Sequence, residues 1–263
     1  MAEPPDFIGV GTHLGGSTWW ARLLAGHPQI SGPRGRSWAL GYFEPFCTRE
    51  MTGADVAAYR ARFPGRAAGE IAGEWSDRYV LDAWIPPLLR RAAPDAKLIV
   101  LLRDPVERYR LQLSLRLGEP RPEGAPLYMT EDVHRGRYAS QLRGLRAFFA
   151  PEQLLVLQLE CCLRDPYTEY ARTLRFLGVD ASYVTRRLKG RRPDATGAVR
   201  AGRHVPPAVR RAVGLPVQVP VSLWPDIEAS VRAELEPEVA ELAAMVDDLD
   251  LSLWPSFAHL AGR

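Results

Sequence analysis

The segment 7–20, near the amino terminus, constrains the fold more than any other part of this sequence. It reads FIGVGTHLGGSTWW: a short apolar run, a turn that contains Gly15 and Gly16, and a helical pattern that opens on Ser17 and Thr18. A short, continuous apolar run is typical of a strand that is buried on both faces of a parallel sheet. The segment therefore predicts a strand, a glycine turn and a helix of an α/β protein.

The glycine turn is also a candidate anion site. Backbone N–H groups of such a turn and the positive end of the following helix can point at a phosphate, and the hydroxyls of Ser17 and Thr18 can add donors. The loop of a nucleoside triphosphatase would need a lysine and a different glycine spacing, whereas Leu14 supplies no charge. The pattern fits a phosphate cradle or a plain, tight connection between strand and helix.

Further strands and helices alternate along the chain. Apolar runs at 97–102 and 153–159 predict two more buried strands. Helical patterns cover residues 18–25, 84–93, 137–149, 167–177 and 227–249, and Gly178 follows the fourth pattern as a carboxyl-terminal cap. This alternation predicts a doubly wound parallel sheet with helices on both faces.

Length and composition favour one large domain. With 263 residues, of which 46% are hydrophobic, the chain can bury a substantial core, and we predict a single domain over residues 1–263. Residues 118–128 contain three prolines and two glycines, which predicts a surface loop. Residues 189–220 are rich in arginine, glycine and proline, which predicts a mobile basic segment.

Composition also bounds the environment and the ligands. No apolar run approaches the roughly 20 residues of a membrane span, and residues 1–6 lack the pattern of a signal peptide, so we expect a cytoplasmic protein without a membrane partner. Of 34 basic residues only Lys97 and Lys189 are lysines. Arginine suits the recognition of phosphate or sulfate, although biased codon usage would produce the same excess of arginine over lysine. Cys47, Cys161 and Cys162 lack metal-ligand spacing, so we expect no metal.

A second motif, RDPVERYR, directly follows the apolar run 97–102. Arg103 would stand at the carboxyl end of a strand, where open α/β sheets bind ligands, and its guanidinium fits a terminal phosphate. Asp104 is placed to cap a helix that begins at Pro105. The motif therefore predicts a second anion contact.

Taken together, these motifs resemble the PAPS-dependent sulfotransferase family, in its bacterial and Golgi heparan-type branch. The resemblance covers segments 7–30, 73–79, 97–110, 137–142 and 154–178, in the family's order. It implies a P-loop-like, sulfotransferase-type sheet, a PAPS or PAP site, and metal-free transfer of a sulfuryl group to a hydroxyl or amine. The acceptor implied is a small molecule, such as a natural product or a glycan.

The resemblance also implies roles for individual residues. Arg103 would hold the 3′-phosphate of the nucleotide, and Arg203, in the basic segment, would close over it. The 5′-phosphosulfate end would be held by the glycine turn and the start of the helix, at Gly15, Gly16, Ser17, Thr18 and Trp19.

This chain departs from the family pattern at positions that face the ligands. The family has a lysine or arginine at the place of Leu14, a serine at the place of Leu111 and a proline at the place of Asp77. In the segment that resembles 38–43, the family's base glutamate is replaced by Ala39 and its histidine by Gly41. These changes suggest relaxed or redirected chemistry.

Nearby residues are candidates to replace the missing groups. His13 could serve as a base or a cation, or as a structural hydrogen-bond donor. Glu44 is the carboxylate nearest in sequence to the lost base, or else a surface residue. Ser114, one helical turn beyond Leu111, could complete the 3′-phosphate site or simply be a small helical residue.

Aromatic residues suggest where an acceptor binds. Trp38 and Tyr42 are candidate acceptor contacts, although aromatic rings also form ordinary core. The basic run 186–192 could bind nucleic acid, but it has no aromatic stacking platform nearby, so we expect no nucleic-acid partner. A homodimer is left open.

Three functions remain open on this sequence. The first is a sulfotransferase that uses PAPS on a small-molecule acceptor. The second is a binding or scaffold protein that kept the fold and lost catalysis. The third is an enzyme that uses the fold with a different donor or reaction.

Overall fold

Five strands form one parallel sheet with the order β2-β3-β1-β4-β5. Every paired strand runs parallel to its neighbour. The strands are β1 Phe7–Gly11, β2 Ile30–Ser31, β3 Ile71–Trp75, β4 Lys97–Leu102 and β5 Leu154–Gln158. The predicted α/β fold is confirmed.

The computed structural model describes residues 2–35, 37–118, 129–188, 222–223 and 225–262. Their contacts separate into two units: one contains the sheet and comprises residues 2–102 and 140–188, and the other comprises 103–139 and the residues from 222 onward. The prediction of a single domain stays a prediction. The predicted basic segment 189–220, with Arg203, and most of the predicted loop 118–128 lie outside the described residues.

Nine α-helices are found in the described residues. They are α1 Ser17–Leu24, α2 Gly53–Arg60, α3 Ile85–Ala92, α4 Pro105–Gly118, α5 Thr130–His134, α6 Tyr138–Arg146, α7 Leu159–Arg164, α8 Pro166–Leu177 and α9 Pro225–Met245. The helical patterns at 18–25, 84–93, 137–149, 167–177 and 227–249 are confirmed as α1, α3, α6, α8 and α9, with shifted ends. Gly178 has a φ of 84°, in the left-handed region, and closes α8 as predicted.

Burial explains which strands the sequence predicted. All of β1 is buried, as is all of β4 after its first residue, because both strands are covered on two faces. Together with β5 they match the three predicted apolar runs. Strand β3 reads IAGEW and β2 has only two residues, so neither forms an apolar run. Because β3 contains a buried glutamate and a glycine, its hydrophobicity pattern does not predict a strand.

Strand order determines where a ligand can bind. The chain leaves β1 toward β2 and β3 on one side of the sheet, and it leaves β4 toward β5 on the other side. The carboxyl ends of β1 and β4 therefore flank a topological switch point, which is the usual ligand crevice of an open α/β sheet. The glycine turn follows β1 at this point.

In the second unit, α4 packs against α9. Arg110 on α4 forms an ion pair with Glu228 on α9 at 2.9 Å. Asp104 caps α4 as predicted, since its Oδ1 accepts from the backbone N–H of Val106 at 2.9 Å, and its Oδ2 accepts from the N–H of Ser256 at 3.2 Å. The capping carboxylate thus also ties the carboxyl-terminal residues to α4.

A buried carboxylate on β3 organises the surrounding segments. Glu74 is fully buried, and it accepts hydrogen bonds from Tyr59 Oη and Ser76 Oγ, both at 2.7 Å. Ser76 Oγ in turn accepts from the backbone N–H groups of Leu40 and Gly41, both at 3.0 Å. This network holds the segment around Ala39 against β3. Burial is the main cause that raises the pKa of Glu74 from 4.5 to about 7.

The raised pKa of Glu74 predicts a pH-dependent stability. Between pH 4.5 and 7 the folded protein holds a proton on Glu74 that the unfolded chain releases, so the free energy of unfolding falls as pH rises. Relative to Glu74→Gln, which cannot ionise, we expect the wild type to lose up to about 3 kcal/mol over this range. Urea denaturation of both proteins across the range measures the difference.

The matched control for this measurement is Glu50→Gln, which changes an exposed glutamate. We expect the stability of Glu50→Gln to follow that of the wild type at every pH. Parallel stability curves for wild type and Glu74→Gln would contradict the assignment of the proton to Glu74.

Candidate functional site

The loop between β1 and α1 is tightly fastened to β4. Thr12 donates to the carbonyl oxygen of Leu101 through both its backbone N–H, at 3.0 Å, and its Oγ1, at 2.8 Å. A Cβ on Gly15 would lie 2.3 Å from Thr12 Oγ1 and 2.5 Å from the Leu101 oxygen, so only glycine fits there. Leu14 and Gly16 have φ angles of 62° and 92°, both in the left-handed region. The loop is therefore compact and partly strained.

The start of α1 is open to a ligand. Gly16 is the N-cap residue, and no side chain caps the helix. Without a capping side chain, the first N–H groups of α1 are available to an anion, and the helix dipole favours negative charge at this end. A glycine-lined loop and an uncapped helix start fit the phosphosulfate end of a nucleotide.

The residues of α1 that are predicted to bind the nucleotide differ in their burial and contacts. Ser17 is buried and its Oγ donates to Asp77 Oδ2 at 3.4 Å, while Thr18 is exposed. Trp19 is half-buried, with its ring edge-on to that of Trp20 at a centroid distance of 5.1 Å. The roles of these residues in binding nucleotide stay predictions.

A pocket of about 420 Å³ lies beside α1. Its walls come from α1, the segment 37–39 and the end of β3. The lining residues are Ser17, Thr18, Ala21, Arg22, Ala25, Ser37, Trp38, Ala39, Trp75 and Asp77. Two indole rings, one guanidinium and one carboxylate give the pocket flat apolar walls with a charge of each sign.

The two candidate acceptor residues, Trp38 and Tyr42, lie in different surroundings. Trp38 lines the pocket, whereas Tyr42 is not among the lining residues. The Tyr42 hydroxyl donates to the backbone oxygen of Asp55 at 2.8 Å, and its ring packs against those of Phe43 and Tyr59. These contacts support the local fold, and an acceptor contact at either residue stays a prediction.

The two candidate bases also lie outside the pocket lining. Glu44 begins a short 3₁₀ turn, Glu44–Cys47, and its carboxylate lies beside Gly41. His13 Nδ1 lies 3.2 Å from Asp77 Oδ2, so the imidazole contacts a carboxylate that does line the pocket. The sequence marked Asp77 only as a departure from the family's proline, and its position at the pocket comes from the fold.

A separate group of cationic side chains lies in the second unit. Arg103, directly after β4, is buried, and so is Ser114 on α4. Arg108 is fully buried and donates to the backbone oxygen of Asp132, whose carboxylate pairs with Arg116 at 2.7 Å. The Nε and Nη1 of Arg108 have no hydrogen-bond partner among the described residues. Burial lowers the pKa of Arg108, and its spare donors suit an anion.

Two negative findings hold for the described ranges. In these ranges no group of three or more His, Cys, Asp or Glu side chains is arranged to hold a metal ion. Among the helices that can be described, none combines the length and the apolar character needed to cross a membrane.

Sequence comparison finds sulfotransferases. No protein-family model matches the chain. It is 29% identical over 188 residues to heparan sulfate glucosamine 3-O-sulfotransferase 3B1 of Mus musculus, covering 66% of this chain and 46% of that protein. It is also 29% identical over 187 residues to heparan sulfate glucosamine 3-O-sulfotransferase 6 of Mus musculus, covering 66% and 52%. The chain spans about half the length of these curated relatives.

Structure comparison agrees with the sequence. The sulfotransferase from Alicyclobacillus acidocaldarius superposes with a TM-score of 0.64 at 23% identity, covering 96% of this chain and 99% of that chain. This match shows the fold, and it confirms the predicted sulfotransferase-type sheet. The chain is therefore similar to sulfotransferases both in sequence, over about two thirds of its length, and in fold.

Proposed function

We propose that this protein transfers a sulfuryl group from PAPS to a hydroxyl or amine of a small-molecule acceptor. The observation that carries the proposal is the uncapped start of α1, reached through a glycine loop at the switch point of the sheet, directly beside a pocket with aromatic walls. This arrangement joins an anion site to an acceptor-sized cavity, as in-line transfer between two substrates requires.

The donor end would be held by backbone groups more than by side-chain charge. PAPS supplies the activated sulfuryl group. The N–H groups at the start of α1 would bind its anionic end, and the loop around Gly15 would keep them in place. Leu14 supplies no cation near the S–O bond that breaks. This chain therefore relies on preorganised N–H donors to stabilise the charge that develops on the departing oxygen.

The acceptor end would be the pocket. Trp38 and Trp75 offer flat apolar faces, and Arg22 offers a guanidinium that can pair with a carboxylate or sulfate on the acceptor. A volume of about 420 Å³ suits one sugar unit or a small aromatic molecule. The named relatives act on glucosamine of heparan sulfate, which supports a glycan among the acceptors to test.

One observation favours a second candidate, a protein that binds its ligand without turnover. Residues 12–19 contain no lysine or arginine, and the carboxylate of Asp77 lies 3.4 Å from Ser17 Oγ. A negative charge at an anion loop weakens the binding of a phosphosulfate unless another group offsets it. A measurement of binding separate from turnover distinguishes the two candidates.

Calorimetry with PAP tests the nucleotide site. The family resemblance gives Arg103 the 3′-phosphate, so we expect the wild type to bind PAP more tightly than AMP, which lacks that phosphate. Arg103→Ala should weaken PAP binding by about 10- to 100-fold, the value of a charge-assisted hydrogen bond pair, and leave AMP binding unchanged. Arg232→Ala, on the exposed side of α9, is the matched control. No detectable PAP binding at millimolar ligand would overturn the proposal.

Placing a cation at position 14 tests whether the absence of positive charge there limits the transfer rate. We expect Leu14→Lys to increase the transfer rate by about 10²- to 10³-fold, because an added donor would stabilise charge on the departing oxygen. Leu14→Met, which keeps the long side chain at the same left-handed position without the charge, should leave the rate unchanged. Sulfated product from radiolabelled PAPS is the measure. Equal rates in Leu14→Lys and Leu14→Met would show that charge at this position is not limiting.

A further inference from the structure

The pocket contains one carboxylate, and it stands at a position where the family has proline. Among the described residues that line the pocket, Asp77 is the only aspartate or glutamate. Ala39, which takes the place of the family's base glutamate, lines the same pocket. A methyl group cannot accept a proton, so the pocket has lost a base on one wall and holds a carboxylate on another.

We propose that Asp77 is the general base of the sulfuryl transfer. This assignment rests on the proposed function. In the step, the acceptor O–H bond breaks and its proton passes to the carboxylate of Asp77. The acceptor oxygen forms the new O–S bond, the S–O bond to the donor phosphate breaks, and its electron pair stays on the phosphate oxygen of PAP. The proton then leaves Asp77 for water.

The contacts of Asp77 orient it for this role. Both its hydrogen bonds go to Oδ2, from Ser17 Oγ at 3.4 Å and with His13 Nδ1 at 3.2 Å. Oδ1 receives no hydrogen bond from a described residue, and the side chain is 31% exposed, so Oδ1 is free to accept a proton from a bound acceptor. Ser17 is the first residue of α1, so the hydrogen bond links the base to the loop that would hold the sulfuryl group.

His13 then acts through Asp77 and does not meet the acceptor itself. It is absent from the pocket lining, and its Nδ1 faces the carboxylate. An imidazole with the proton on Nδ1 would donate to Oδ2 and fix the rotamer of the carboxylate. His13 is therefore a positioning residue in this scheme, and Asp77 is the catalytic residue.

The first experiment removes the charge and keeps the shape. Sulfated product is measured with radiolabelled PAPS and two probe acceptors, the flat phenol 4-methylumbelliferone and a heparan sulfate oligosaccharide. We expect Asp77→Asn to lower kcat by about 10²- to 10⁴-fold, the usual contribution of a general base, while PAP affinity stays the same or rises. Asp95→Asn, an exposed aspartate between α3 and β4, is the matched control and should keep the wild-type kcat.

The second experiment separates a base from a structural carboxylate. Asp77→Ala leaves a space beside Ser17, and added formate can place a carboxylate there. We expect formate to raise the transfer rate of Asp77→Ala at least ten-fold. Formamide, which has the same size and no charge, should leave that rate unchanged. Equal rescue by formate and formamide would overturn the assignment.

The outcomes separate this inference from the function on which it rests. If the wild type sulfates neither probe, the proposed function fails and the assignment of Asp77 fails with it. If the wild type sulfates a probe and Asp77→Asn keeps more than a third of its kcat, the function stands and only the assignment of Asp77 is overturned.

Discussion

The pairing of β1 between β3 and β4 is the constraint on which the described site depends. Because all three strands run parallel, their carboxyl ends meet at one edge of the sheet. The loop after β1 is held there by the two hydrogen bonds from Thr12 to Leu101, and Asp77 follows β3 at the same edge. Loop, α1 and pocket are consequences of this pairing, since each begins where one of these strands ends.

Charge at the loop distinguishes this chain from the pattern that it resembles. Leu14 and Ala39 remove a cation and a carboxylate, whereas Asp77 adds a carboxylate paired with His13. The net result near the start of α1 is a candidate anion site without a fixed positive side chain on its loop, next to a partly exposed carboxylate that contacts His13. Such a site depends more on the helix dipole and on preorganised N–H groups than a site that contains a lysine does.

Buried polar groups explain what hydrophobicity could not predict. Strands β1, β4 and β5 are apolar runs and were predicted, but β3 carries Glu74, which is buried because Tyr59 and Ser76 satisfy it. The same network positions the segment that contains Ala39. A sequence pattern records that Glu74 is charged, but it contains no information about the distant hydroxyls that make its burial tolerable.

The sequence by itself determined the α/β class, the glycine loop, the cap at Asp104 and the resemblance to sulfotransferases, because these depend on local patterns and on the order of short motifs. Only the tertiary structure decided which polar residues face the pocket. Asp77 and Trp38 lie on its wall while Glu44 and Tyr42 do not, and His13 turns toward Asp77. Such neighbours are 39 to 64 positions apart in the chain, and only the packing of strands and loops brings them within hydrogen-bond distance or onto one wall.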